Sequence, residues 1–414
     1  MAFKLTKSEV HWILYDVGNS AFILLVSTMM PVYFKSLVNE TGLTNEDYLA
    51  YWGYAASFVT LIVAALGPVL GTLTDNKGFK KPLFFGTVAA GAVGCALLGF
   101  AKGWLAFLII FIIAKAAYSI SLIFYDAMLP DVTTGERVDR VSALGYAWGY
   151  IGSCIPFILC LVLVLGAESF GLTMGTAMMI SFMITSLWWV ALTIPVMKSY
   201  RQKYYVEGGK SRVSESFLRL WRTLRHARQK REILWFLIAF FFYIDGVHTI
   251  IDMATTYGGA LGLDSTGLLL ALLLTQFVAF PCAVLFGRLA QRYATEGLLG
   301  VCIIAYLGIA IFAVFLHNLV QFWILAVLVG MFQGGIQALS RSYYTKIIPP
   351  EQSGEFFGIY DIFGKGAAFL GTTLVGVVSQ ATGSINTGIS VLSVLFLLGL
   401  LAFWYAVKLK KEKE

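Results

Sequence analysis

Apolar residues along this chain gather in runs of about 20, separated by short polar breaks, without the strict alternation of a half-buried strand. Twelve runs stand out, at about 11–35, 47–73, 82–101, 103–129, 140–166, 171–197, 233–261, 265–290, 297–317, 320–346, 355–380 and 386–408. Runs of this length cross a bilayer as helices, because lipid offers no partner for an unpaired backbone N–H or C=O. The expected fold class is an all-α membrane protein with twelve transmembrane helices. One long break divides them six and six. It gives an N-terminal six-helix bundle (1–197), a basic linker (198–232) and a C-terminal six-helix bundle (233–414).

The two halves rhyme. Residues 114–130 (AKAAYSISLIFYDAMLP) align with 333–349 (QGGIQALSRSYYTKIIP) at a constant offset, pairing Ser121 with Ser340, Tyr125 with Tyr344 and Pro130 with Pro349. Tyr118 falls opposite Gln337. A second echo joins LYDVGNSAF in span one (Leu14 to Phe22) to FYIDGVHTI in span seven (Phe242 to Ile250). Two pseudo-symmetric bundles with polar stripes at equivalent places are how a solute pathway through a membrane is built.

Composition agrees with burial in lipid. Apolar residues make up 58% of 414 and charged ones 13%, with a mean hydropathy of +0.79. Of the 30 Lys and Arg, Lys35 and Lys102 fall on one side of the twelve-helix drawing and Lys115 and Lys365 fall inside spans. The others lie in the tails, the even-numbered loops and the span ends beside them. That bias places both termini and the basic loops in the cytoplasm. The net charge of +7 then reports membrane orientation, and nucleic-acid binding is not expected. The first span carries Asp16 and no small-residue cleavage site, so it is expected to be retained. Cys95, Cys154, Cys160, Cys282 and Cys302 are scattered through the spans as packing residues, and no metal site or cofactor is expected. The linker holds eleven Lys and Arg against Glu207, Glu215 and Glu232. Within it, residues 214–231 place Phe217, Leu220, Trp221 and Leu224 at helical spacing, which predicts an amphipathic helix on the cytoplasmic leaflet.

Charge inside the spans is the next clue, since an ionisable group at mid-depth usually faces a cavity and has a partner. Asp361 and Lys365 stand four apart in span eleven and are expected to pair. Asp126 sits at the cytoplasmic end of span four, where solvation alone can account for it. Lys115 lies deeper, with no carboxylate within two turns on its own helix. Asp16 and Asp245 occupy the related spans one and seven. Asp245, His248 and Asp252 make one polar stripe suited to relaying protons, so Asp16, Asp245 and Asp252 are the candidate coupling residues. Gln333, Gln337 and Arg341 share a face of span ten. The amides suit a polar or zwitterionic solute, and Arg341 suits either a carboxylate or a gate ion pair.

Between spans two and three the chain reads Gly71-x-Leu73-x-Asp75-x-x-Gly78-x-Lys80-Lys81. It resembles the loop signature of the major facilitator superfamily. Gly71 allows close helix contact, Gly78 a tight turn, and Asp75 can face a helix N-terminus or an arginine across the seam. The equivalent loop, Gly287-Arg288-Leu289-Ala290-Gln291-Arg292, has Gln in the aspartate position. Longer motifs resemble one branch of that superfamily. They are Trp12-x-x-Tyr15-Asp16-x-x-Asn19-Ser20-Ala21-Phe22, Gly145-Tyr-Ala-Trp148-Gly149-Tyr150-x-Gly152, Tyr243-x-Asp245-Gly246-x-x-Thr249-Ile250-Ile251, Gln333-Gly-Gly-x-Gln337-Ala-Leu-Ser340-Arg341-Ser342 and Phe356-Phe357-Gly358-x-Tyr360-Asp361-x-x-Gly364-Lys365. This pattern is similar to the vacuole-effluxer-like family, the relatives of autophagy-related protein 22, from residue 12 to about 371.

The resemblance implies a twelve-span transporter. Its fungal members are described as exporting amino acids from the vacuole. The expectation is a secondary active transporter of a small polar organic solute, an amino acid or similar, working by alternating access, with protons as candidate coupling ion. The alternatives are an exporter of amphipathic or lipid-like compounds and a non-transporting membrane receptor or scaffold. An enzyme is not expected. Asp16, Asn19, Lys115, Tyr118, Asp245, His248, Gln333 and Gln337 are the candidate cavity lining. Gly71, Asp75, Gly78, Lys80, Lys81, Arg341, Asp361 and Lys365 are the candidate gate and latch. The expected partners are a small-molecule solute, the lipid bilayer and protons. The chain is expected to act as a monomer in a bacterial plasma membrane, with a vacuolar membrane as the alternative.

Overall fold

A computed structural model describes residues 3–39, 41, 45–207 and 231–412. Twelve helices among them are long and apolar enough to cross a membrane. They are α1 (Lys7–Asn39), α2 (Asn45–Thr74), α3 (Lys80–Leu98), α4 (Trp104–Ala127), α5 (Arg137–Leu165), α6 (Met174–Ser199), α7 (Arg231–Ala260), α8 (Ser265–Leu289), α9 (Thr295–Val314), α10 (Leu319–Ile347), α11 (Ser353–Thr382) and α12 (Ile385–Lys411). A single helical turn, Leu129–Val132, follows α4. Each apolar run in the sequence coincides with one helix to within a few residues. The run at 82–101 outlasts α3, because apolar residues continue through the turn that Gly103 completes at φ +85°. The amphipathic helix expected at 214–231 falls almost wholly outside the described residues.

The helix starts follow two different rules. At one end of the bundle the caps are local. Thr173, Asp264, Asn318 and Ser384 each accept a backbone N–H from three residues ahead, starting α6, α8, α10 and α12. Thr6 and Glu9 form a reciprocal capping box at the start of α1, at the opposite, basic end. The first turn of α11, also at the basic end, takes its cap from the other half of the molecule.

Within the first half α1 packs on α5 and α6, and α3 on α4 and α6. In the second half α7 packs on α11 and α12, and α9 on α10 and α12. The halves meet along α2–α11 and α5–α8, with further contact at α5–α10 and α4–α11. Because α8 repeats α2 and α11 repeats α5, one pseudo-two-fold relates the two main seams. Side-chain bonds repeat too. Tyr15 meets Ser121 at 2.7 Å in the first half, and Tyr243 meets Ser340 at 2.7 Å in the second.

Glycine sets the approach of the seams. A Cβ on Gly71 would stand 2.3 Å from the Gly354 carbonyl oxygen, and one on Gly354 would stand 2.3 Å from the Gly71 carbonyl oxygen. On the other seam a Cβ on Gly287 would meet the Ala143 methyl at 2.7 Å. Small residues are what let membrane helices come this close.

Candidate functional site

Two groups of polar residues lie where the halves face each other: a dense network at the basic end and a looser set of charges beyond it.

The network has three parts. The first is built on the loop between α2 and α3. Both carboxylate oxygens of Asp75 accept backbone N–H groups at the start of α11, from Gly354 at 2.7 Å and Glu355 at 3.0 Å. These donors have no helical partner of their own, and the positive end of the helix dipole favours the charge. Of the alternatives left open in the sequence, a helix N-terminus is one that Asp75 faces. Gly78 turns the loop at φ +81°. Lys80, fully buried, donates to Asp131 at 3.2 Å, to the Ala127 carbonyl at 3.0 Å and to Ser353 of the second half at 3.0 Å. Lys81 is half-exposed and lies outside this cluster.

The second part is the pseudo-symmetric counterpart. Here Gln291 takes the place of the aspartate and accepts from Arg140 of α5 at 2.7 Å. The loop therefore still bridges the halves, through a neutral amide. Asp139, buried near the start of α5, accepts from Thr295 at 3.0 Å and Ser342 at 2.7 Å and is ion-paired with Lys346.

The third part centres on Arg341, which is 2% exposed. Its Nη1 donates to Asp126 at 2.9 Å, and its Nη2 stands 3.7 Å from Asp16. Its Nε donates to the Ser142 hydroxyl and Nη2 to the Ser142 carbonyl, both at 3.0 Å. The guanidinium lies over the rings of Trp12, at 4.7 Å, and Tyr146, at 4.3 Å. An arginine's five donors and flat face allow one residue to hold α1, α4 and α5 at once. Gly145 leaves room for this: a Cβ there would sit 2.8 Å from Asp16 Oδ2 and 3.1 Å from Arg341 Nη2. Asp126 is thus not simply solvated. It is the closer of the two carboxylates that meet Arg341.

Beyond the network, charges of both signs converge from three helices. Asp361 and Lys365 pair at 2.5 Å, as their spacing predicts, and Lys365 also reaches the Ser119 carbonyl of α4 at 3.4 Å. Lys115 sits 4.9 Å above the ring of Tyr118 and within electrostatic reach of Asp252 and Lys365. His248 and Asp252 interact with each other; Lys365 and Asp361 act on His248, and Lys115 on Asp252. Asp245 is not brought into this group. It is fully buried in the α7–α11 seam, where Oδ1 accepts from Gly371 N–H at 3.0 Å and from Thr249 at 3.4 Å. The stripe read from α7 therefore divides into an inward carboxylate and an outward His–Asp pair. Asn19 Nδ2, Gln333 Oε1 and Asp245 Oδ2 are buried without a hydrogen-bond partner among the described residues. Gln337 is half-buried on the same face of α10 as Gln333.

Sequence reasoning missed Asp131, Asp139 and Ser142, and it named Gly145 only as part of a family motif, with no role. Asp131 follows Pro130, where the internal repeat places Pro349, and it is matched by Pro350 in the second half. A carboxylate breaking the repeat at a membrane boundary was the available signal.

Twelve helices in two related bundles, closed at one end by a polar network and polar between the halves beyond it, define a membrane transporter of the major facilitator type. Residues 6–414 match the family model described as vacuole effluxer Atg22 like, and the chain belongs to that family. It is 43% identical over 405 residues to the MFS-type transporter YxiO of Bacillus subtilis (strain 168), covering 97% of this chain and 95% of that protein. Autophagy-related protein 22 of Kluyveromyces lactis is 22% identical over 469 residues, covering 97% and 94%. Among solved structures, the major facilitator transporter FucP in its outward conformation superposes with a TM-score of 0.76 at 14% identity, covering 96% of this chain and 98% of that one. The human organic anion transporter MFSD10 superposes at 0.73 with 14% identity, covering 97% and 100%. Likeness at such identity speaks for the fold alone. The family and the fold are those of transporters, not enzymes.

Proposed function

We propose that the chain is a secondary active transporter that moves a small polar organic solute, an amino acid or similar, by alternating access in a plasma membrane. The observation that carries this reading is the set of charges between the halves beyond the basic end. Lys115, His248, Asp252, Asp361 and Lys365 present both signs within reach of one another. A zwitterion offers a carboxylate to the lysines and an ammonium to the aspartates. Asn19 Nδ2 and Gln333 Oε1 supply a neutral donor and a neutral acceptor, and a buried polar atom without a partner favours a ligand that satisfies it. An apolar, amphipathic cargo makes poor use of such groups.

On this reading the basic end faces the cytoplasm, which the Lys and Arg distribution supports, and the network of Asp75, Lys80, Arg341 and Asp139 is the inner gate. Its closure makes the described conformation outward-facing. Protons are the coupling ion, with Asp16, Asp245 and Asp252 as carriers. Asp245 suits the part because one oxygen is anchored by Gly371 and the other is unpartnered. The 43% identity to a Bacillus subtilis transporter over nearly the whole chain supports a bacterial plasma membrane.

Thermal unfolding of purified protein against a panel of amino acids, nucleosides and amphipathic compounds tests the solute class. A ligand that binds only the folded state raises the melting temperature with concentration. The reading expects that response from an amino acid. Stabilisation by amphipathic compounds alone would replace it with the export of such compounds.

A further inference from the structure

The chain leaving α6 does not run free. Residues 200–207 lie against the loop that carries Asp75. The Gln202 side chain bridges the two ends of that turn: Oε1 accepts from Gly78 N–H at 2.9 Å and Nε2 donates to the Thr74 carbonyl at 3.0 Å. Val206 N–H donates to the Asp75 carbonyl at 2.9 Å, and Asn76 and Val206 form a parallel backbone bridge. Lys77 lies 5.1 Å from the centre of the Tyr205 ring. On its other side the strap is gathered by Asp131. Oδ1 accepts Lys203 N–H at 2.8 Å and Tyr204 N–H at 2.9 Å, and Oδ2 accepts the Tyr200 hydroxyl at 2.5 Å. Burial, with Asp131 alongside, holds the Tyr200 phenol well above its ordinary range, so it stays a donor. The same Oδ2 accepts Lys80, which reaches Ser353 at the start of α11.

These contacts tie the strap to the first half, and two paths lead from them to α11 of the second. Gln202 fixes the turn whose carboxylate caps α11. Asp131 fixes the lysine that reaches Ser353. We infer that residues 200–207 are a working part of the gate, with Gln202 and Asp131 as positioning residues that hold Asp75 and Lys80 aimed at α11. The inference rests on the reading of the basic end as a gate. It gives the interdomain linker a task besides tethering: tension or binding on the chain beyond residue 207 is felt at Asp75, and loosening the strap favours the state open at the basic end.

The test is a distance distribution between spin labels at Glu136 and Glu351, exposed residues on opposite halves at the basic end, in full-length protein with its native cysteines replaced. No solute is needed. Gln202→Ala removes two hydrogen bonds from the turn and is expected to raise the ratio of open to closed molecules about fivefold. Gln202→Glu keeps the acceptor for Gly78 but loses the donor to Thr74, and should shift the ratio less. Tyr200→Phe loosens the strap from the Asp131 side, and it carries the test if the Gln202 variants fold poorly. Asp75→Asn serves as the reference. Strap variants that match the parent while Asp75→Asn opens would overturn the inference and leave the gate reading standing. If Asp75→Asn also matches the parent, the gate reading fails and the inference with it.

Discussion

Arg341 of the second half donates to Asp126 of the first at 2.9 Å, in the seam between the two bundles. Asp16 stands 3.7 Å away on a second helix of that half. One guanidinium faces two carboxylates across the seam between the halves. Removing one partner of a buried pair leaves the other uncompensated, at a cost of about 3–5 kcal/mol. Arg341→Ala should therefore lower the melting temperature markedly and favour separation of the halves at the basic end. Arg341→Lys should not restore it, since an ammonium cannot serve Asp126 and Ser142 while lying flat over Trp12. Thermal unfolding in detergent compares the three proteins; an Arg341→Lys variant as stable as the parent contradicts this account.

Gly145 gives a second handle on the same contact. An alanine methyl there would press on Asp16 Oδ2, Trp12 and Arg341 Nη2, all within 3.1 Å. Overpacking of this kind costs roughly 1–3 kcal/mol. Gly300, with open space where its Cβ would lie, is the control. Gly145→Ala should lose stability and transport, and Gly300→Ala neither; equal melting temperatures for the two variants would refute the steric argument.

Asp75 acts as a helix cap delivered across the interface. Asp75→Asn keeps one acceptor but loses the charge that faces the α11 dipole, worth roughly 1 kcal/mol. Asp75→Ala loses both. The fraction open at the basic end should rise in the order parent, Asn, Ala. Spin-label distances between the halves report it, and an open fraction that stays the same in all three proteins would remove Asp75 from the gate.

Much of the fold was legible because lipid leaves few choices. Apolar runs of the right length had to be helices, and the repeat in α4 and α10 announced the duplication that the two Tyr–Ser bonds display. The Asp361–Lys365 pair was legible because it is local, four residues apart on one helix. What stayed hidden depends on contacts between distant segments. Nothing near Asp126 in sequence indicates Arg341, 215 residues on. Asp131 was passed over, because its partners Lys80, Tyr200 and the backbone at 203–204 come from three separate places. The α7 stripe was read as one helix face. Its division arose from α11, whose Gly371 N–H captures Asp245.

The duplicated Tyr–Ser bonds invite a test of independence. Tyr15→Phe and Tyr243→Phe each remove one buried hydroxyl and leave a serine with its backbone acceptor, Tyr118 or Ile336. Each should cost about 1 kcal/mol. The sites lie in different halves with no shared partner, so the double variant should show the sum. A loss well beyond additivity in the unfolding free energy would mean that the halves do not behave as separate bundles.

The central claim is that this chain carries a small polar organic solute through a site between its halves. Flux in proteoliposomes tests it most directly: uptake of labelled amino acids is measured with an imposed proton gradient and without one, for the parent and for Lys115→Ala. The account predicts saturable uptake of at least one amino acid, increased by the gradient and lost in Lys115→Ala. Uptake equal to that of protein-free vesicles for every amino acid, with folded protein in the membrane, would contradict it.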